Sequence, residues 1–103
     1  KRAVETWLKL HRSYYLLGNL DAAVECARRA MKRDPNHQRT RYVLATCLAE
    51  QGNYAEAEQH LRWCLDRRPD NITLLKMIDR VAEKRIRNDD VSLRPDGNTA
   101  PRR

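Results

Sequence analysis

The stretch TWLKLHRSYYLLGNLDAAVECARRAMKRDP, residues 6–35, decides the fold, because residues 40–69, TRYVLATCLAEQGNYAEAEQHLRWCLDRRP, repeat its design without a gap. A shift of 34 residues superimposes Thr6 on Thr40, Leu10 on Leu44, Gly18 on Gly52, Asn19 on Asn53, Ala23 on Ala57, Arg28 on Arg62, Arg33 on Arg67 and Pro35 on Pro69. The matched residues include Gly, Asn and Pro, which punctuate secondary structure, so the repeat is one of element boundaries as well as of composition.

Each period divides into two helices at those residues. Gly18 and Gly52 accept the left-handed conformation that ends a helix, since they have no Cβ to clash. Asn19 and Asn53 are then expected N-caps, the second reinforced by Glu56 three residues on, in the manner of a capping box. Pro35 and Pro69 disfavour helical geometry in Asp34 and Arg68, and Asn36 and Asn71 are expected to cap the next helix in each case. The predicted helices lie near Val4–Leu17, Asp21–Arg33, His37–Gln51 and Ala55–Arg67. A fifth, near Ile72–Arg87, carries Leu75, Ile78, Ala82 and Ile86 on one stripe broadened by Leu74 and Val81, and is expected to shield the last repeat from water. Residues 88–103, NDDVSLRPDGNTAPRR, show no periodicity and are expected to be a disordered tail.

The quoted residues resemble the tetratricopeptide repeat family. Trp7-x-x-Leu10-His11-x-x-Tyr14 follows the family's W-x₂-L-G-x₂-Y opening with His11 in place of glycine, and Gly18, Ala23, Ala30 and Pro35 fall at its later positions. The second repeat keeps Leu44, Gly52, Tyr54, Ala57 and Pro69, and departs at Arg41, Ala45 and Cys64. The resemblance implies an all-α, right-handed superhelical solenoid of antiparallel helix pairs with about five helices. Its parts would be a domain over residues 1–87, with repeats at 4–37 and 38–71 and a capping helix at 72–87. Ala23, Ala30 and Ala57 would let helices approach closely, while Trp7, Leu10, Tyr14, Leu44, Leu48 and Leu61 would fill the space between them.

In this family the first helix of each repeat lines a concave groove, so the resemblance implies a protein–protein interaction and scaffolding module. The partner-binding residues it points to are Leu8, Lys9, Arg12 and Tyr15 in the first repeat and Arg39, Tyr42, Val43 and Thr46 in the second. Lys76, Met77, Arg80 and Lys84 extend the set on the last helix. Leu8, Tyr15, Tyr42 and Met77 would anchor apolar groups, and the basic residues would set orientation. Some members clamp a ligand's terminal carboxylate with Lys, Asn and Arg. This chain has Leu8, Arg12, Val43, Thr73 and Met77 there, and Arg12 alone suits that chemistry.

Composition points the same way. Lys and Arg number 21 against 14 Asp and Glu, a formal charge of +7, which favours an acidic peptide or protein partner. Nucleic acid is the rival on charge alone, but Glu25 and Glu58 are interleaved within helical pairing distance of Arg28, Arg29 and Arg62, and no stacking platform is evident. No enzyme signature is present, and no cofactor or metal is expected: His60 and Cys64 stand four apart without further ligands. Cys26, Cys47 and Cys64 form an odd set inside apolar patterns, which suits free thiols in a reducing compartment, hence cytoplasm, with an extracytoplasmic array as the alternative. The longest apolar run, Tyr14–Leu17, is far short of the roughly 20 residues of a membrane span.

Lys1 stands where a methionine would and the helical pattern is already running, so a segment of a longer protein is expected. Two repeats and a cap leave the helix bearing Trp7 uncovered, which raises self-association as a further expectation. The structural alternative is a segment that serves only in oligomerisation or in closing an array.

Overall fold

The computed structural model describes residues 2–93, with side chains through residue 88. Among the described residues there are five helices and no strand: α1 (Arg2–Leu16), α2 (Leu20–Arg33), α3 (Gln38–Glu50), α4 (Tyr54–Arg67) and α5 (Ile72–Leu93). Each helix packs on the next in chain order, which gives two antiparallel hairpins, α1–α2 and α3–α4, with α5 closing over α4.

The hairpin turns follow from the two glycines. Gly18 and Gly52 have φ of +81° and +89°, where a Cβ would be strained. In the first turn the Gly18 N–H donates to the Tyr15 carbonyl at 3.0 Å and that of Asn19 to Tyr14 at 2.9 Å. In the second, Gly52 donates to Ala49 at 3.0 Å and Asn53 to Leu48 at 2.8 Å. Both are Schellman closures, so the two hairpins turn with the same geometry.

Capping differs between them. Asn19 accepts from the Ala22 N–H at 3.1 Å, and Asn71 from that of Leu74 at 3.0 Å. Asn53 holds the N-cap position without a side-chain bond, so the expected capping box does not form. Asn36 does not cap α3 either; its N–H is engaged by Asp34 Oδ1 at 3.1 Å, which tightens the turn and moves the cap to His37. His37 Nδ1 accepts from the Thr40 N–H at 3.3 Å.

Alanines allow the helices to meet at close range. Ala23, Ala27, Ala45 and Ala57 are wholly buried, and Leu44, Leu48 and Leu61 fill the space between them in one cluster. A second cluster joins Val4 and Leu8 to Ala30, with Trp7 half-buried against it. Leu10 and Tyr14, expected in the core, are 41% and 36% exposed, because the inward face of α1 is carried by Val4, Leu8 and His11. The same correction applies to α5. Leu74, Ile78 and Val81 are buried, at the i, i+4, i+7 spacing of the face laid on α4, whereas Leu75 and Ile86 fall on its open flank.

Nor does α5 end at Arg87; it runs to Leu93. Residues 88–93 contain neither Gly nor Pro, so no local breaker stops the helix at Arg87. The rest of the expected tail, residues 94–103, lies outside the described residues.

The equivalence of Leu10 and Leu44 in sequence but not in burial yields a direct test. Leu44→Ala should cost about 2–5 kcal/mol of unfolding free energy, as for other buried leucines. Leu10→Ala should cost well under half of that, both read from urea denaturation of dilute protein.

Candidate interaction face

The odd-numbered helices share one face, and two adjoining hollows open on it. The first, of about 220 Å³, lies between α1 and α3 and is lined by Leu8, His11, Arg12, Tyr15, Arg39, Tyr42, Val43, Thr46 and Cys47. The second, of about 390 Å³, is lined by Gln38, Arg39, Tyr42, Cys64, Arg68, Asn71, Thr73 and Leu74. Arg39 and Tyr42 belong to both and stand between them.

Helical periodicity explains the assembly. Leu8, Arg12 and Tyr15 recur at i, i+4 and i+7 on α1, as do Arg39, Val43 and Thr46 on α3. Leu8 and Cys47 are buried and Val43 is half-buried, so these form an apolar floor; Arg12 and Arg39 are exposed at its rim. Tyr15 is held across the two helices by donating its hydroxyl to Glu50 Oε2 at 2.6 Å, and that bond together with burial raises the phenol above its ordinary pKa. His11 is fixed through Nδ1 to the Ala23 carbonyl at 3.0 Å, so the residue in the glycine position of the repeat is a hydrogen-bonded wall of the hollow. Thr46 donates to its own helix at the Tyr42 carbonyl, 3.0 Å away.

Seven of the expected site residues thus come together at the first hollow: Leu8, Arg12, Tyr15, Arg39, Tyr42, Val43 and Thr46. Lys9, Lys76, Met77, Arg80 and Lys84 line neither hollow. Met77 packs against the core, and the others project into solvent. Thr73, which the resemblance also places at a groove site, and Leu74 are what α5 contributes. Gln38, Arg68 and Asn71 lie at helix ends, outside the stripes that helical periodicity singles out; Arg68 bonds Gln38 Oε1 at 3.0 Å, joining the end of α4 to the start of α3.

A family model matches residues 5–64, α1 through most of α4: the anaphase-promoting complex, cyclosome, subunit 3 family, whose repeats are of tetratricopeptide type. The chain belongs to this family. Among curated proteins nothing matches. Membership makes the chain a protein–protein interaction module built on repeats that are generally non-catalytic scaffolds. No helix among the described residues is long and apolar enough to cross a membrane, and no group of three or more His, Cys, Asp or Glu among them could hold a metal ion. His60 and Cys64 are each engaged by protein atoms, Cys64 Sγ reaching the Gln38 carbonyl at 3.7 Å.

In this member of the family the two hairpins are also locked by charge, through α2, α3 and α4. Arg28 donates to both oxygens of Glu56, at 2.7 and 3.0 Å, in place of the pairing with Glu25 that its sequence neighbourhood suggests. Glu25 pairs with Arg29 at 2.9 Å. Beyond Glu56 stands His60, buried, its Nε2 3.4 Å from Glu56 and its Nδ1 3.5 Å from Arg41 Nη1. Burial lowers the His60 pKa and Glu56 only partly opposes this, consistent with a neutral ring that accepts from Arg41 and donates to Glu56. Arg41 and Arg67 lie 4.2 and 3.5 Å from the Trp63 ring centroid. Glu58, almost buried, takes Arg62 and Arg85 at 2.7 Å each; burial raises its pKa, but the two guanidiniums outweigh that and the net shift is downward.

The Arg28 hydrogen bonds hold the Glu56 carboxyl below its ordinary value of 4.5. A carboxylate with a depressed folded pKa contributes stability that is complete above the unfolded value and lost as pH falls through the folded one. Urea midpoints should therefore fall as pH drops below the ordinary glutamate range. Glu56→Gln should lower the midpoint at neutral pH and flatten that acid slope; an unchanged slope would remove Glu56 from the lock.

Proposed function

We propose that the face shared by α1, α3 and α5 binds an extended acidic peptide or an acidic segment of a partner protein. The observation that carries this reading is the hollow between α1 and α3, whose apolar floor of Leu8, Val43 and Cys47 is flanked by Arg12 on one helix and Arg39 on the other. An aliphatic or aromatic side chain of the guest occupies that floor. Carboxylates on either side of it meet the two guanidiniums, which suit planar, two-pronged recognition. The guest backbone then passes Tyr42, at the boundary of the two hollows, toward Asn71 and Thr73.

The surrounding field favours the same guest. Glu25, Glu56, Glu58 and Glu83 are each engaged by arginines, while Lys76, Arg80 and Lys84 are exposed without an acidic partner among the described residues. Against a net charge of +7 these lysines and Arg80 steer an acidic segment toward the hollows without lining them. The three buried thiols, with Cys47 pushed up to about 11 by burial, suit a reducing compartment such as the cytoplasm.

Fluorescence anisotropy with a labelled acidic peptide carrying one central leucine tests the reading. Its lysine counterpart and a single-stranded oligonucleotide serve as controls. Arg12→Glu with Arg39→Glu should weaken the acidic peptide at least about tenfold, the cost of one charge-assisted contact. Equal affinity of wild type and variant, or preference for the oligonucleotide, would overturn it.

A further inference from the structure

The two hollows differ in what borders them. The first has its apolar floor of Leu8, Val43 and Cys47. The second, of about 390 Å³, is bordered mainly by polar side chains, those of Gln38, Arg39, Tyr42, Arg68, Asn71 and Thr73, and no carboxylate is among them.

The hydrogen bonds already made on this wall decide what it has left to offer. Gln38 commits its Oε1 to Arg68 Nε at 3.0 Å, and Asn71 commits its Oδ1 to the Leu74 N–H at 3.0 Å. An amide side chain has one acceptor oxygen and one NH2 donor group, so Gln38 Nε2 and Asn71 Nδ2 remain as donors. Arg68 is held through Nε and keeps its two Nη groups. Arg39 and the hydroxyls of Tyr42 and Thr73 make no hydrogen bond or ion pair among the described residues. Donors are therefore in excess. The field has the matching sign: burial raises the Cys64 thiol pKa, while Arg41, Arg67 and Arg68 each pull against it, so positive charge bears on the residue at the base of the hollow.

We propose that this second hollow takes the phosphoryl group of a phosphoserine or phosphothreonine on the guest, between the Arg39 and Arg68 guanidiniums and within reach of the Gln38 and Asn71 amides. The proposal rests on the reading of the shared face as a peptide-binding one and adds a modified residue to what that face recognises. A phosphomonoester brings about two negative charges and three acceptor oxygens. A carboxylate, with one charge and two oxygens, would leave most of these donors without a partner. The planar fork of arginine suits either oxyanion, but two guanidiniums on one wall suit the doubly charged one. Arg39 and Tyr42 border both hollows, so one extended segment sets its apolar side chain in the first and its phosphorylated side chain in the second. Phosphorylation of the partner then strengthens its capture.

Fluorescence anisotropy with a peptide series tests this. A single phosphoserine is moved along the acidic peptide relative to its central leucine, with serine and glutamate at the same positions for comparison. At one spacing phosphoserine should bind at least about tenfold tighter than serine, with glutamate recovering only a small part of the gain. The gain should fade as pH falls through about 6, where the phosphate loses its second charge. Arg68→Gln, which lies outside the first hollow, should bring the ratio of phosphoserine to serine affinity close to unity. Arg12→Glu should weaken both peptides together and preserve the ratio. Should Arg68→Gln unfold, NMR of the wild type decides: the side-chain NH2 signals of Gln38 and Asn71 should shift more with the phosphoserine peptide than with the serine peptide at equal occupancy. Binding of the serine peptide with no gain from phosphate at any position would overturn this inference alone, as would an equal gain from glutamate. Displacement of the phosphopeptide by an equal concentration of single-stranded oligonucleotide would overturn it in favour of a nucleic-acid backbone. Failure of every peptide to bind would overturn this inference and the peptide-binding reading together.

Discussion

The close approach of α2 to α3 is the contact on which the rest depends. It is possible because Ala23, Ala27 and Ala45 present no side chain beyond Cβ at the crossing, so Leu44 and Leu48 reach into the space between hairpins and lose all contact with water. A larger residue at any of these alanines would drive the hairpins apart, and overpacking of this kind costs of order 1–3 kcal/mol. Separation would also widen the hollow between α1 and α3, whose floor includes Val43, a residue packed against both buried clusters. The face on which the hollows open is therefore a by-product of the core.

Electrostatics act on two levels. Glu56 and Glu58 are committed to arginines on neighbouring helices, Arg28 across the hairpins and Arg85 from α5, so these two carboxylates serve as internal fasteners. Arginine suits this role because its planar fork meets both carboxylate oxygens at once, as Arg28 does. These pairs leave the net charge of +7 unchanged, and Lys76, Arg80 and Lys84 carry part of it on the exposed surface of α5.

α1 serves two faces at once. Leu8, Arg12 and Tyr15 look toward α3 and the first hollow; Leu10, Tyr14 and Leu17 are exposed on its other side. The first set is shaped by the neighbouring hairpin, and the second has no helix against it among the described residues.

Much of this was fixed by local chemistry and is visible in the chain itself. Glycine at residues 18 and 52 and proline at 35 and 69 set where helices stop, since φ above zero and a missing N–H are properties of single residues, and the 34-residue spacing then made the hairpins equal. Seven of the nine residues lining the first hollow were legible because helical periodicity and the family resemblance placed them on one face. Tertiary structure alone decided which apolar residues are buried. Leu10 and Leu44 are the same residue at the same position of the repeat, yet one is exposed and the other wholly enclosed, because burial depends on the neighbour a helix receives. It likewise decided that Arg28 seeks Glu56 instead of Glu25, that His37 caps in place of Asn36, and that Leu74, not Lys76 or Arg80, borders the second hollow. Each of these is a choice among partners brought together only by folding, and periodicity carries no information about the distance between helices.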